Sequence, residues 1–317
     1  SFAEIIFLKS RYEEGEKMRA QILSTPHLIL IIIGIIGGTL ARVLILREDY
    51  RQYPTYPNGV LSQIALGFVA STLGAIFIPA IMTNNVTAAT FLALAITQFQ
   101  GVRKLEQDSL KSLEETEYTK RGSAYIDGIS KTYEARNYIA LFVALTISVI
   151  AESLETMPVF IRISLGILGG ILIFLILVRF SKGKTISDFA VVNQAKIIIK
   201  NNELYADDMF ISNRIGSIRG QEMILQEWIA VILSPKQEHY RIFLDNFGQR
   251  QAILFEITRT LGLKRYHFTR KDYSNGRIAF VIVPIIHNID NMISSILRTP
   301  VLETVQKNHK YLQKKEK

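Results

Sequence analysis

The sequence predicts a mixed fold class, in which a polytopic α-helical membrane domain of about five spans precedes a cytoplasmic α+β domain of ferredoxin-like type. Long apolar blocks alternate with short polar connections up to residue 180, and no later block is long enough to span a bilayer. The formal net charge of the 317 residues, +9, divides just as unevenly, into about +1 up to residue 180 and +8 after it. A membrane half followed by a basic soluble half accounts for both observations.

The chain contains no cysteine, which excludes disulfides, thiolate zinc sites and cysteine nucleophiles. Its five histidines are scattered, and none of them has an HExxH-like spacing. We therefore expect no metal site and no cofactor. The basic charge is not accompanied by any nucleic-acid-binding motif.

Five apolar blocks within residues 26–180 are predicted to span the membrane, after a charged polar leader, residues 1–25, that does not resemble a cleavable signal. The first block contains Arg42 near its end, where we expect the long side chain to snorkel to the membrane surface. The third and fourth blocks are near the short end of the spanning range. The blocks are residues 28–46, 60–82, 86–99, 138–150 and 159–180.

Charge asymmetry between the connections predicts the orientation of these spans. Residues 83–85 are uncharged and residues 151–158 carry only Glu152 and Glu155, whereas residues 101–137 contain seven lysines and arginines. By the positive-inside rule, residues 101–137 and the chain after residue 180 face the cytoplasm. Five spans then place the N-terminus outside, although the four basic residues of the leader count against that placement.

Small residues recur at helical spacing within the blocks and are predicted to pack helices against one another. In lipid, such positions let backbones approach closely where no hydrophobic force drives association. A groove that faces lipid or substrate is the alternative interpretation. No acidic residue lies deep within a block, which counts against a proton-coupled transporter. The predicted packing residues are Gly34, Gly38, Gly67, Gly166 and Gly170.

Residues 229–306 follow the order β-α-β-β-α-β, which is typical of a ferredoxin-like sandwich with its helices on one sheet face. A strand at 229–235 precedes a helix at 240–261, and strands at 266–272 and 277–285 flank an Asn-Gly turn. A short helix at 289–297 and a final strand at 301–305 complete the order. Residues 307–317 form a basic tail that suits anionic lipids of the inner leaflet.

Residues 181–228 predict a linker and a β-hairpin whose strands surround Asn201-Asn202. Asp207 and Asp208 fall in or just after the second of these strands. The simplest interpretation of this acidic pair is a solvated turn or edge. The alternative is a pair of carboxylates for acid–base chemistry or for a hard cation, but no further cation ligands lie nearby.

The stretch AYIDGISKTYEARNY, residues 124–138, directly precedes the fourth apolar block. On a helix, Tyr125 and Tyr133 share one face with Ile129. Asp127 and Glu134 share the opposite face with Lys131. We expect a helix lying in the membrane interface, with the tyrosines at headgroup level, the arginine near phosphates and a bend at the glycine. The candidate functional residues are Tyr125, Asp127, Gly128, Lys131, Tyr133, Glu134 and Arg136.

The hexapeptide Tyr-Ile-Asp-Gly-Ile-Ser, followed by Glu-Ala-Arg-Asn-Tyr, resembles the signature for which the YIEGIA family of endospore-forming bacteria is named. The upstream stretch YPTYPNG, residues 53–59, and the order of spans before a cytosolic tail are also similar. Asp127 stands where the family name has Glu, and Ser130 stands where it has Ala. The resemblance implies an integral membrane protein of the bacterial cell membrane that acts in sporulating cells, without a cofactor.

Two function classes remain open at this point. The interpretation we favour is a non-catalytic regulatory or scaffold protein, monomeric or homo-oligomeric, that couples the lipid bilayer to a cytoplasmic protein partner. The alternative is a membrane-embedded aspartic-type protease that cuts a cytosolic substrate. There Asp127 would activate water together with Asp207, Asp208 or Asp127 of a second protomer. The sequence lacks the Asp-Thr/Ser-Gly and Gly-x-Gly-Asp elements typical of aspartic proteases.

Overall fold

The computed structural model describes residues 25–49, 57–82, 86–212, 215 and 217–306. They form two units. The helical unit comprises the described residues up to Glu106 together with Ile129–Lys182, and the α+β unit comprises Gln107–Gly128 and the described residues from Gly183 onward. The predicted leader, most of the YPTYPNG stretch and the basic tail lie outside these ranges.

Five helices cover the first part of the described chain, and four of them are long and apolar enough to cross a membrane. The helix that does not meet this criterion is α3, whose first half contains the predicted third block and whose second half is polar. The helices are α1 (Thr25–Asp49), α2 (Pro57–Met82), α3 (Val86–Leu113), α4 (Ser123–Ser153) and α5 (Val159–Ser181).

Close contacts define the directions of the helices within the helical unit. Both α2 and α4 run antiparallel to α1, so α2 and α4 run in the same direction. The contacts that establish this are Ala75 and Ser148 beside Gly34 at one level, and Gly67 and Asn137 beside Arg42 at another. Because α2 and α4 are parallel, the chain between them must return to the level at which α4 begins. Helix α3, 28 residues or about 42 Å long, lies in this connection.

The glycines selected in the sequence analysis lie at helix contacts. A methyl group at Gly38 would lie 2.5 Å from the Ser71 hydroxyl and 2.6 Å from the Ala140 carbonyl oxygen. Gly166 and Gly170 of α5 face Ile147 of α4. Ile173, Phe174, Leu177 and Val178 of α5 also pack against the core shared by α1 and α4, whereas most of its other apolar side chains are exposed, as expected of a lipid-facing helix.

The α+β unit is built on a four-stranded antiparallel sheet in the order β1-β5-β7-β6. A second, three-stranded antiparallel sheet has the order β2-β3-β4. The elements are β1 (Ala190–Ala195), β2 (Ile197–Lys200), β3 (Glu203–Ala206), β4 (Met209–Ser212), α6 (Ile218–Glu227), β5 (Ile229–Pro235), α7 (Arg241–Asp245), α8 (Phe247–Leu261), β6 (Leu263–Lys271), β7 (Ile278–Pro284) and α9 (Ile289–Arg298).

The predicted order from residue 229 holds from β5 through α9, except that the single helix predicted at 240–261 is divided at Asn246 into α7 and α8. The predicted final strand at 301–305 is wrong. Its place at the sheet edge beside β5 is taken by β1, which precedes β5 in the chain. The buried Gln249 amide holds the backbone that would have formed the final strand, because it donates to the Pro300 carbonyl and accepts from the Leu302 amide. The Val301 amide donates to the Lys184 carbonyl.

The predicted hairpin at 196–211 is also corrected, because three short strands replace two. Asn201 and Asn202 have positive φ and form the turn between β2 and β3, while Asp207, also at positive φ, and Asp208 turn the chain from β3 into β4. The acidic pair therefore lies in a turn.

Strands β5 and β7 are buried on both faces. On one face, Ala230, Ile232, Ala279 and Val281 pack with the three-stranded sheet and α6. The alternating residues point to the opposite face, on which α8 contacts β7 and α9 contacts β1. The α+β unit thus has a central sheet between a helical layer and a smaller sheet.

Candidate functional site along helix α4

The whole AYIDGISKTYEARNY stretch is helical and forms the first half of α4. The helix continues without interruption through Gly128, so the predicted bend at that residue is absent. Residues up to Gly128 belong to the α+β unit, and those from Ile129 onward belong to the helical unit. A single helix therefore contributes packing residues to both units.

In the α+β unit, the Tyr125 hydroxyl donates a 2.5 Å hydrogen bond to the Glu256 carboxylate of α8. Both side chains are buried, and the Tyr125 ring packs edge-on against Phe255. A buried carboxylate requires hydrogen-bond donors, of which Tyr125 supplies one, and the Arg259 guanidinium adds an ion-paired charge 3.9 Å away. The prediction that Tyr125 lies at headgroup level is wrong, because its hydroxyl is bound inside the protein.

The residues before α4 form a strap, residues 114–122, along α8. The Glu114 carboxylate closes the strap by accepting from the Gly122 amide at 2.7 Å. The buried Thr119 hydroxyl bonds that of Thr258, and the Arg121 guanidinium lies 4.5 Å from the centre of the Phe255 ring. These contacts cover the outer face of α8 with polar and stacking interactions.

In the helical unit, Arg42 of α1 is fully buried and its Nε donates to the Asn137 side-chain oxygen at 3.3 Å. Its guanidinium lies 5.4 Å from the centre of the buried Tyr133 ring. Gly67 makes room for the Arg42 side chain, because a Cβ there would lie 2.5 Å from Arg42 Cγ. The predictions that Arg42 snorkels and that Tyr133 contacts headgroups are therefore both wrong. Internal hydrogen bonding and stacking replace contact with the membrane surface.

Glu134 directly follows Tyr133 on α4, and its carboxylate lies 3.6 Å from Arg103 of α3. Glu106, one turn further along α3, has its pKa raised because burial disfavours the carboxylate form. Asp127, Lys131 and Arg136 of α4 are half-buried. Within the helical unit, the Arg103–Glu134 pair therefore joins α3 to α4.

The structure gives Asp207 and Asp208 local roles. Asp207 accepts from the Lys196 amide at 2.8 Å, and Asp208 is paired with Arg277 through two hydrogen bonds, of 3.0 and 2.6 Å. The Arg277 guanidinium lowers the pKa of Asp208. In a carboxylate dyad that shares one proton, one of the two carboxyl groups must have a raised pKa, and Asp208 does not provide it.

A third polar cluster, which the sequence analysis missed, joins α1, α4 and α5. The buried Glu152 carboxylate lies 2.9 Å from His27 Nδ1 and 3.3 Å from Arg162. His27, Glu152 and Glu155 have ligand atoms within 4.8 Å of one another, close enough to hold a cation. The Arg162 guanidinium already supplies positive charge to Glu152, which favours an ion-paired contact between helices over a metal site.

Other residues missed from the sequence differ in the signal they carry. Arg42 is a charge inside an apolar block, which marks an intramembrane interaction by default. Gln249 and Glu256 lie at helical spacing on the same stripe of α8 as Ile253 and Ile257, so they are polar residues at core positions. The strap has no local signal, because Tyr118 and Thr119 bind partners more than 100 residues away in the chain.

These features define a class of protein in which helices of membrane-spanning length and composition are combined with an antiparallel α+β unit. Within that class, the chain belongs to the YIEGIA family, whose model, described as "YIEGIA protein", matches residues 30–312. It is 36% identical over 286 residues to YphB of Bacillus subtilis (strain 168), described as an uncharacterized protein. The alignment covers 88% of this chain and 94% of that relative. No solved structure matches the chain.

Proposed function

We propose that the protein is a sporulation-associated integral membrane regulator or scaffold that couples the bilayer to a cytoplasmic protein partner through its basic α+β unit. The observation that carries the proposal is the double engagement of α4. Tyr125 is bound to Glu256 in the α+β unit, whereas Tyr133 and Asn137, two to three turns later, are bound to Arg42 in the helical unit. In this proposal, a displacement of α1 or α4 reaches the α+β unit along this helix.

In this proposal the chain crosses the bacterial cell membrane five times, with α3 as the third crossing. The parallel directions of α2 and α4 support it, since the chain must return between them, and α3 exceeds the roughly 30 Å of a hydrocarbon core. The N-terminus is then outside and the α+β unit in the cytoplasm, as the seven basic residues of 101–137 favour.

The α+β unit is best interpreted as a variant of the ferredoxin-like fold. Strands β5, β6 and β7 with helices α8 and α9 follow that order, and β1 occupies the edge that the last strand would fill. The fold itself indicates no activity. The function that we propose for the α+β unit rests on its contacts with α4 and on its excess of basic residues.

The test is to remove one hydrogen bond without disturbing packing, in Tyr125→Phe, and to replace its acceptor, in Glu256→Gln. Coupling predicts that both variants insert at normal levels but lose most of the sporulation function in the native host. Tyr273→Phe is the matched control, because Tyr273 is exposed and lies in the β6–β7 turn. Full function in Tyr125→Phe and Glu256→Gln would exclude the proposed coupling.

The protease alternative depends on Asp127, and the same host distinguishes it. Asp127→Asn and Asp127→Glu are scored for sporulation and for turnover of cytosolic proteins. A protease predicts that Asn abolishes both at normal protein level while Glu preserves them. Coupling through Tyr125 predicts unchanged turnover in both variants.

A further inference from the structure

A group of exposed side chains in the α+β unit is tied by backbone contacts to the C-terminal end of α8 and the start of β6. It consists of Tyr118, Arg265, Tyr266, Ile285 and Ile286, here called the Tyr–Ile patch. The four apolar side chains are 73%, 59%, 63% and 55% exposed, respectively. Large exposed apolar residues that cluster in this way mark interaction surfaces.

The backbone holds this patch in place. The register of β6 against β7 slips between Leu263 and His267, so that Lys264, Arg265 and Tyr266 are consecutively exposed in a bulge. The amides of Ile285 and Ile286 donate to the Leu261 carbonyl. Gly262 allows this close approach, because its φ is +68° and a Cβ would lie 2.8 Å from the Ile285 side chain.

Tyr118 joins the patch from a different part of the chain. It belongs to the strap, and its hydroxyl donates to the Arg265 carbonyl at 2.7 Å. The patch is therefore composite, with the bulge and the isoleucine loop on one side and the segment leading into α4 on the other. Any movement of the strap along α8 would separate Tyr118 from Arg265.

The charge of the patch indicates what it binds. Arg265 makes no ion pair within the part of the chain that the structure describes, and Lys264 contacts only the half-exposed Glu227, at 3.3 Å. The chain after residue 180 carries 21 basic against 13 acidic residues, so it repels basic surfaces. Arg265 is an unpaired cation among tyrosine and isoleucine side chains. Such a surface is complementary to an apolar segment that carries carboxylates.

We propose that the Tyr–Ile patch docks an acidic, apolar segment of a cytoplasmic protein, and that the strap regulates this docking by supplying or withdrawing Tyr118. This docking proposal rests on the proposed function and identifies the surface that binds the partner. Helix α4 begins immediately after the strap, and its residue Tyr125 is bound to Glu256, so the first turn of α4 holds the strap against the α+β unit.

The test uses the full-length protein in its sporulating host. A photo-crosslinking amino acid is placed at Ile286 or Tyr266, and at Tyr273 as a control. Tyr273 is equally prominent but lies at the opposite end of the β6–β7 pair, about 23 Å away along the strand. We expect a crosslink to one protein from Ile286 and Tyr266, and none to it from Tyr273.

Crosslinking alone does not establish the chemistry, so a charge exchange follows. Arg265→Glu should reduce the crosslink yield at least about tenfold, as loss of an interfacial arginine hot spot does. Reversing the crosslinked acidic residue of the partner to Lys should restore it. Tyr118→Ala should lower the yield without changing membrane insertion.

Four results would overturn the proposal: crosslinks only to lipid, crosslinks only to a second copy of the chain, no crosslink, or no rescue by the exchanged charge. The coupling proposal fails separately, through full function in Tyr125→Phe and Glu256→Gln. A functional loss in those variants together with any of the four results would leave the coupling standing and exclude the patch.

Discussion

Arg42 is the residue that most constrains the helical unit, because a fully buried guanidinium must be satisfied inside the protein. Asn137 and the Tyr133 ring provide part of that environment, and Gly67 provides the space. The cost of burying a charge away from water is large unless it is paired and hydrogen-bonded. Packing at Gly67 and electrostatics at Arg42 therefore cannot be changed independently.

Gly67→Ala is expected to destabilise the protein by about 1–3 kcal/mol, because the added methyl group overlaps the Arg42 side chain. The measurement is thermal unfolding of the purified protein in detergent or nanodiscs. Gly101→Ala is the control, since a Cβ at Gly101 of α3 has nothing within 4 Å. Equal melting temperatures for the two variants would contradict the packing shown here.

Glu106→Gln is expected to raise stability at neutral pH. The raised pKa of Glu106 means that ionisation is less favourable in the folded than in the unfolded protein. The wild type should therefore lose stability as pH rises from the ordinary glutamate range through the raised value, and the variant should not. The two proteins should converge in acid.

Unfolding followed across a pH series checks this difference between wild type and Glu106→Gln. Asp108→Asn, at an exposed position two residues further along α3, serves as the control and should leave the curve unchanged. A variant that is less stable than the wild type at neutral pH would show that Glu106 is stabilised as a carboxylate.

At the scale of elements, the main feature of α4 is that it is one uninterrupted helix. Its 31 residues extend over about 46 Å, and side chains near each end, Tyr125 and Glu152, are bound to partners far away in sequence, Glu256 and His27. Gly128, at the division between the two units, is the weakest point of this helix by intrinsic propensity.

Gly128→Ala is expected to stabilise α4 by about 0.5–1 kcal/mol, because alanine favours a helix interior and a Cβ there has nothing within 4 Å. Gly74→Ala should do the opposite, since its Cβ would lie 2.2 Å from the Leu141 carbonyl oxygen. Comparing the unfolding midpoints of both variants with the wild type measures the difference. A destabilised Gly128→Ala would indicate that the open space is used.

Sequence patterns predicted those elements whose signal is local. The run of β5, α8, β6, β7 and α9 follows from hydrophobic periodicity and an Asn-Gly turn. The same reasoning wrongly added a strand at 301–305, where residues 303–306 are helical instead. The Gln249 amide holds the Pro300 carbonyl and the Leu302 amide, and no residue near them in the sequence reveals that contact.

The site was predicted less well than the fold. The spacing of Tyr125 and Tyr133 correctly indicated one helical face, but that face is buried in protein instead of lipid headgroups. A helical stripe reports which residues are buried together and does not report against what. The deciding contacts join residues 131 positions apart for Tyr125 and 95 for Arg42, beyond the reach of any local pattern.

For the whole molecule, the proposed number of membrane crossings depends on helix direction more than on composition. Composition alone selects four helices, whereas parallel α2 and α4 require the chain between them to return. Since the chain has no cysteine, single substitutions to cysteine can report sidedness without background.

In spheroplasts, we expect a membrane-impermeant thiol reagent to label Asn84→Cys in the α2–α3 connection and Glu155→Cys in the α4–α5 connection. Asp108→Cys, near the end of α3, should be labelled only after the membrane is permeabilised. This pattern requires α3 to cross. Identical accessibility of positions 84 and 108 would reduce the count to four and place the N-terminus in the cytoplasm.

The strap also determines when the α+β unit can be completed during translation. Thr119 of the strap leaves the ribosome 139 residues before its partner Thr258, which at cellular elongation rates is a delay of roughly 10 s. Two helices of spanning composition are synthesised in that interval, so the strap cannot contact α8 until α8 has been synthesised. A fragment that begins at residue 183 would therefore present α8 without its cover, and it should be captured by chaperones or aggregate when it is expressed alone.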